Sequence, residues 1–263
     1  MRINNNITAI NSHRQYGINN GNIGKNVEKL SSGFRVNRAG DDAAGLAISE
    51  KMRTQIRGLN MASKNSQDGI SLVQTAEGAM QTAHNIMQRM RELAVQSRNG
   101  TNDTDVDRKA LDLEFQQLNL EIGQIKDTVT FNDMSIFGRN FTIQSGANAG
   151  DTTLFSVSDL EKPNGNVASI ADSAKAIGDL TKSINSLSTS RARLGAIQNR
   201  LEFKIQNLDN SAENLAAAES RIRDVDMAKM MTEFTKNNIL FQASTAMLAQ
   251  ANAIPQSVLQ LVG

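Results

Sequence analysis

The chain has no cysteine and no tryptophan, and only two prolines and one tyrosine among its 263 residues. Without thiols it can form no disulfide, offer no thiolate nucleophile and bind no metal through sulfur. Its two histidines, His13 and His84, stand too far apart in sequence to suggest a local catalytic or metal cluster. Nine Phe and one Tyr are few for a compact core of this length. Charge of one sign is lacking as well. The 28 Lys+Arg balance 27 Asp+Glu to a net charge of +1, which leaves no electrostatic case for nucleic acid or an anionic membrane as the main partner. No apolar run approaches the ~18 residues of a membrane span, so no membrane insertion is expected. Met1 to Ile10 has no apolar segment of the kind a cleavable signal peptide needs. What is plentiful is uncharged polarity, 28 Asn and 17 Gln, and long stretches free of Pro163 and Pro255 in which helices can run.

Helical periodicity covers 1–130 and 168–262. From about Ala168 to Ile222, apolar residues recur at Ile170, Ala174, Ile177, Ile184, Leu187, Leu194, Leu201, Ile205, Leu208, Ala212, Leu215 and Ile222. Steps of three and four over about seven heptads predict a coiled-coil-like helix, roughly 80 Å long. A second long helix is predicted over Ala43–Ser97. One stripe holds Met52, Ile56, Leu59, Ile70, Val73, Met80 and Met87; its neighbour holds Leu72, Ala76, Ala79, Ala83, Ile86, Met90 and Leu93. Two adjacent stripes make a face wide enough for two partner helices. Asn99-Gly100 breaks it, and Asp103, Thr104, Asp105 and Asp107 supply cap chemistry for a third helix carrying Leu111, Phe115, Leu118, Ile122, Ile125 and Val129. In between, Asn140–Ser145 and Thr152–Val157 flank a Gly- and Asn-bearing connector, which predicts a β-hairpin. The fold expected is an all-α dominated elongated rod of long coiled-coil-like helices with a small β-hairpin.

The two ends differ from the body. Ile3, Ile7 and Ile10 begin a seam that continues through Arg14 to Gly17, Gly21 and Gly24. Glycines weaken an isolated helix by ~1 kcal/mol each and let another helix approach closely. The C-terminal stretch offers large residues at similar spacing: Met227, Met230, Phe234, Phe241, Leu248, Ala251, Val258 and Val262. The two ends are therefore expected to pair. Arg35, Arg38, Asp41 and Asp42 on one side and Arg221, Arg223, Asp224 and Asp226 on the other then form a polar joint, with scattered solvated charges as the alternative.

Candidate chemistry is sparse. Asp103-x-Asp105-x-Asp107 with Glu114 has the carboxylate spacing of a calcium loop, but Arg108 stands where the loop needs Gly, which favours a capped helix start. Gly24-Lys25 lacks the earlier glycine and following hydroxyl of a phosphate loop. Asp41-Asp42 reads as the cap of the second helix rather than a catalytic pair. Eleven methionines lie mostly on helix seams, as adaptable packing residues do. No cofactor, no metal site and no enzyme activity are expected.

The segment Leu30-Ser-Ser-Gly-Phe-Arg-Val-Asn-Arg-Ala-Gly-Asp-Asp-Ala-Ala-Gly-Leu-Ala-Ile-Ser-Glu-Lys-Met-Arg53 closely resembles bacterial flagellin, the subunit of the flagellar filament. Gln88–Ser97, Ala218–Lys229, Gly146-Ala-Asn and Met247-Leu-Ala-Gln-Ala-Asn252 match in the right order as well. The resemblance implies a terminal domain built from both ends, 1–42 and 220–263, and a helical domain over 43–219 with its hairpin near 140–158. About a dozen residues, Leu160 to Ile170, stand where larger relatives insert an outer domain, so this is similar to a minimal flagellin. It implies a subunit that polymerises with itself and supports motility. The assembly contacts are then Ile3, Ile7, Ile10, Met230, Phe234, Phe241, Leu248 and Val258. Further partners implied are the flagellar type III export apparatus, a flagellin export chaperone, and the hook-associated junction and cap proteins. The chain is expected to be secreted into a flagellum, external or, in a spirochaete, periplasmic. The likeness of Gln88–Gln96 implies a surface for the flagellin-sensing Toll-like receptor of animal hosts at Gln88, Arg89, Leu93, Gln96 and Glu114. A hook–filament junction protein is the alternative, and a non-polymerising coiled-coil adaptor a further one.

Overall fold

The computed structural model describes the backbone of residues 6–103 and 106–262, with side chains to Ile254. In chain order the elements are α1 (Ile7–Ser32), α2 (Ala43–Ser97), α3 (Asp107–Thr128), β1 (Thr130–Phe131), β2 (Met134–Ser135), β3 (Asn140–Gln144), β4 (Thr152–Ser156), α4 (Ile170–Arg223) and α5 (Met227–Val262). They form two compact units, Met1–Thr54 with Asn214–Gly263, and Gln55–Glu213. The units change over at 54/55 inside α2 and at 213/214 inside α4, beside the expected boundaries of 42/43 and 219/220, so the first turns of α2 group with the chain ends. Glu50 on α2 accepts a hydrogen bond from Arg223 at 2.6 Å.

The Gln55–Glu213 unit keeps the expected stripes of α2 and α3, but the first turns of α4 differ: Ile170 and Ala174 of the expected seam are exposed, and Ala176 and Leu180 are buried in their place. On α4, Leu180, Leu187, Leu194, Leu201 and Leu208 are buried at a strict spacing of seven, the signature of a coiled-coil seam. Val73, Ala76, Met80, Ala83, Met87, Met90 and Leu93 of α2 join them, with Phe115 and Ile122 of α3. Ala alternates with Met along α2, so small and flexible side chains fill a gap of uneven width. Ser169 starts α4: its hydroxyl accepts from the Asp172 backbone N–H at 3.1 Å and donates to the Asp172 carboxylate at 2.6 Å.

The hairpin forms with Phe141 opposite Phe155 and Asn140 opposite Ser156. The two Phe rings lie 5.8 Å apart, and alternate residues of β4, Thr153 and Phe155, point inward. Gly58 lets α2 meet the hairpin loop. A Cβ there would lie 2.9 Å from that of Ala147. A smaller hairpin, β1–β2, was not foreseen. Asn132 and Asp133 link its strands at φ 50 and 60, left-handed values that Asn and Asp tolerate and that a tight two-residue turn requires.

The start of α3 differs from expectation. Its cap position is Val106, which offers no side-chain acceptor. Asp107 instead accepts from the Asp103 backbone N–H at 3.1 Å, while Thr104 and Asp105 lie outside the described residues. Arg108 is only 5% exposed. Its guanidinium donates to the carbonyls of Ser97 at 3.0 Å and Asn99 at 3.1 Å, at the end of α2. Carbonyls left over at a helix end need donors, and Arg108 supplies them from the next helix. The side chain that breaks the calcium-loop pattern thus holds the α2–α3 corner.

Candidate functional site

The first unit is an antiparallel pairing of α1 and α5. Asn6 accepts from the Ala9 backbone N–H, capping α1, and donates to the Ala251 carbonyl at 2.7 Å. Further along, the Tyr16 and Phe241 rings are 4.8 Å apart, and Asn19 donates to the Ser244 hydroxyl at 2.9 Å. The face of α1 turned to its partner is therefore Ser12, Tyr16, Asn19, Ile23 and Asn26, all buried or half-buried. This corrects the seam expected from sequence. Ile7 and Ile10 are 62% and 64% exposed, and a Cβ added at Gly17, Gly21 or Gly24 would meet nothing within 4 Å. The glycines do not draw α5 close. The contact is made instead by the tilted Tyr16 and Phe241 rings, which occupy more room than a glycine seam leaves.

On α5, Met230, Phe234, Phe241 and Leu248 are half-buried along one stripe that ends at buried Ala251. Nominated for contacts between copies, they lie on the stripe from which Phe241 meets Tyr16. Met227, expected on the seam, is exposed instead, as are Met231, Ile239, Leu240, Met247 and Ile254, which the sequence pattern did not single out. Ile3 and the side chain of Val258 lie outside the described residues.

The joint at the head of this pair is held by backbone as much as by charge. Gly33 ends α1 at φ 73, a left-handed value that favours glycine, and its N–H returns to the Lys29 carbonyl. The Val225 N–H then donates to the Gly33 carbonyl at 3.0 Å and the Arg35 N–H to the Arg223 carbonyl at 2.7 Å. The Arg35 guanidinium reaches the Ile222 carbonyl. Arg223 lies 4.7 Å from the centre of the Phe34 ring and bonds Glu50, whose carboxyl is held below its ordinary value chiefly by that hydrogen bond. Asp41 accepts from the N–H groups of Asn37 and Arg38, both at 3.2 Å, which lowers its carboxyl too. Asp42 caps α2 through the Gly45 N–H at 2.8 Å. The joint is polar, as expected, but the acidic partner of Arg223 is Glu50, which the sequence reading did not single out.

In the second unit, Arg89 on α2 donates to Glu114 on α3 at 3.0 Å and to Glu92 at 3.2 Å. The hydrogen bond to Glu114, then that to Glu92, raises the guanidinium's pKa. Gln88 bonds His84 at 3.0 Å, and Gln96 is exposed. Leu93 does not belong with them. It is 1% exposed and packed in the core, so it cannot be a surface contact in this fold. Leu93 lies both on the Arg89–Gln96 line and on the Ala83–Met90 stripe, and packing put it with Met90. Val95 is the exposed aliphatic residue of this stretch.

Residues 3–142 match the bacterial flagellin N-terminal helical region, and 177–262 match the bacterial flagellin C-terminal helical region. The chain belongs to the bacterial flagellin family. It is 56% identical to the flagellin of Halalkalibacterium halodurans and 50% identical to that of Bacillus subtilis, over the full length of both chains in each case. It is 46% identical, again over both full lengths, to the flagellar filament 31.3 kDa core protein of Treponema maltophilum. The crystal structure of Bacillus cereus flagellin aligns with a TM-score of 0.52 at 33% identity, over 59% of this chain and 94% of that one.

This flagellin is a structural subunit that polymerises into the bacterial flagellar filament and so supports motility. Its short length is consistent with a minimal form lacking the outer domain, and the relatives named above are flagellins and a filament core protein, which gives the junction alternative no support. Among the described residues no helix is long and apolar enough to cross a membrane, and no group of three or more His, Asp or Glu could hold a metal ion.

Proposed function

We propose that this flagellin assembles through the faces of α1 and α5 that their own pairing leaves open. The carrying observation is the set of large apolar side chains exposed on two paired helices: Ile7 and Ile10 on α1, and Met231, Ile239, Leu240 and Met247 on α5. Stacked copies would remove that surface from water, which is the main driving force for association. Met230, Phe234, Phe241 and Leu248 then act one step earlier, by holding α5 on α1. On this reading Met1–Thr54 with Asn214–Gly263 is the family's terminal domain, and Gln55–Glu213 its helical domain. Seeded growth tests it. Ile239→Asp or Met247→Asp yields folded subunits that do not extend filaments, whereas Phe234→Asp loses α1–α5 pairing first. Normal filaments from both exposed-face variants would count against the reading.

The flagellin resemblance supports a route for the subunit. The chain is exported through the flagellar type III apparatus with the help of an export chaperone, is secreted, and folds at a growing tip bounded by junction and cap proteins. It also supports a receptor surface on the second unit, now reduced to Gln88, Arg89, Gln96 and Glu114. Binding of purified receptor ectodomain to monomer, with Arg89→Ala alongside, decides that part.

A further inference from the structure

Lys25 and Lys29 of α1 and Lys236 of α5 line one groove of about 350 Å³ between the paired helices, with the amides of Asn22, Asn26 and Asn237. Glu233 is the one carboxylate lining it, and among the described residues no ion pair joins it to any of the three lysines. Three ammonium groups against one lining carboxylate leave the groove electropositive, with Asp41 a further carboxylate that acts on Lys29 from outside the lining. Asn26 adds a second, independent sign. It is 8% exposed, and its Nδ2 has no hydrogen-bond partner. A buried donor without an acceptor is costly and rarely tolerated without a reason. The other buried amide of this seam, Asn19, is satisfied by Ser244. The groove thus presents ammonium and amide donors in excess of its one carboxylate, and the buried Asn26 Nδ2 meets no acceptor.

We propose that this groove is a carboxylate-binding site, filled in the filament by an Asp or Glu side chain of a second copy of this chain. Charge distribution points to that source. The unit that holds the groove carries twelve basic and eight acidic residues, while Gln55–Glu213 carries sixteen basic and nineteen acidic. The surplus carboxylates of each copy are therefore outside the unit that needs them. Polymerisation brings copies together at high local concentration. A charge-assisted bond from lysine, with the Asn26 amide completing the acceptor's shell, couples occupancy of the groove to assembly.

The test uses filaments grown from equal parts of unlabelled and ¹⁵N-labelled full-length chain, treated with a zero-length carbodiimide. Lys25, Lys29 or Lys236 should appear joined to Asp or Glu in mixed-isotope peptides. If other intercopy crosslinks form but these lysines join only Glu233 of their own chain, or none, the proposal fails. Asn26→Asp gives the site its own carboxylate. The variant should keep the helix content of the monomer, and seeded growth should need a roughly ten- to hundredfold higher subunit concentration. Unchanged growth of a folded variant overturns the proposal. Sulfate titration of unmodified monomer, read at the Asn26 side-chain amide, separates the remaining source. A sulfate response without intercopy crosslinks assigns the groove to inorganic anions and rejects a second copy as its occupant.

Discussion

Arg223 donates a 2.6 Å hydrogen bond to Glu50 while its guanidinium lies over the Phe34 ring. Three segments that are distant in sequence meet at that one side chain. Acid should therefore open the joint. Glu50 titrates below its ordinary 4.5, chiefly through Arg223, and Asp41 below 3.8, chiefly through the Arg38 N–H. For a lowered carboxyl the stabilisation is complete above the ordinary value and is lost as pH falls through the folded-state value. Hydrogen-exchange protection at the Arg35 and Val225 amides should hold at neutral pH and decline below pH 4.5. Glu50→Gln should lower protection at neutral pH and leave only the later decline due to Asp41.

Leu93→Ala should unfold the second unit rather than probe its surface. Removing most of a fully buried leucine costs about 2–5 kcal/mol. Arg89→Ala breaks an exposed, solvent-screened ion pair with Glu114 and should leave the melting temperature nearly unchanged. Thermal denaturation of the two variants distinguishes them. Equal melting temperatures would place Leu93 outside the core.

Alanine at Gly17, Gly21 and Gly24 meets open space in the isolated subunit. Each substitution should favour the α1 helix by about 1 kcal/mol, raising helix content by circular dichroism. Filament growth by the triple variant should fall if this stripe faces another copy. More helix with undiminished growth would place the stripe away from any interface.

Arg108→Ala leaves the carbonyls of Ser97 and Asn99 without these donors at the α2–α3 corner. The expected loss is about 2–4 kcal/mol in denaturant unfolding. Arg108→Lys should recover little, because one ammonium does not reproduce the planar fork that meets two carbonyls. Full rescue by lysine would mean that charge alone sets the corner.

Much of the secondary structure was legible because it rests on local periodicity. The three-four spacing from Ile170 onward and the break at Asn99-Gly100 set helix limits that the structure keeps within a few residues, while the end of α1 at Gly33 was not marked by periodicity. Alternation across Asn140–Val157 marked the hairpin, and Asp42 was readable as a cap. The Asn132-Asp133 turn was missed, although the dipeptide that forms it was in plain view.

By itself the sequence determined the extent of α2 and α4, which residues can form seams, and the family to which the chain belongs. Only the tertiary structure decided which seam is used. On α1 two stripes were available, and the pair formed through Tyr16, Asn19 and Asn26 rather than Ile7, Ile10 and the glycines. On α2, Leu93 could have joined either neighbour and went inward with Met90. The physical reason is the same in both places. Helical spacing places side chains about 100° apart around an axis, so it says which residues share a face. Which face is covered depends on the shape of the partner helix, and that partner arrives from the other end of the chain.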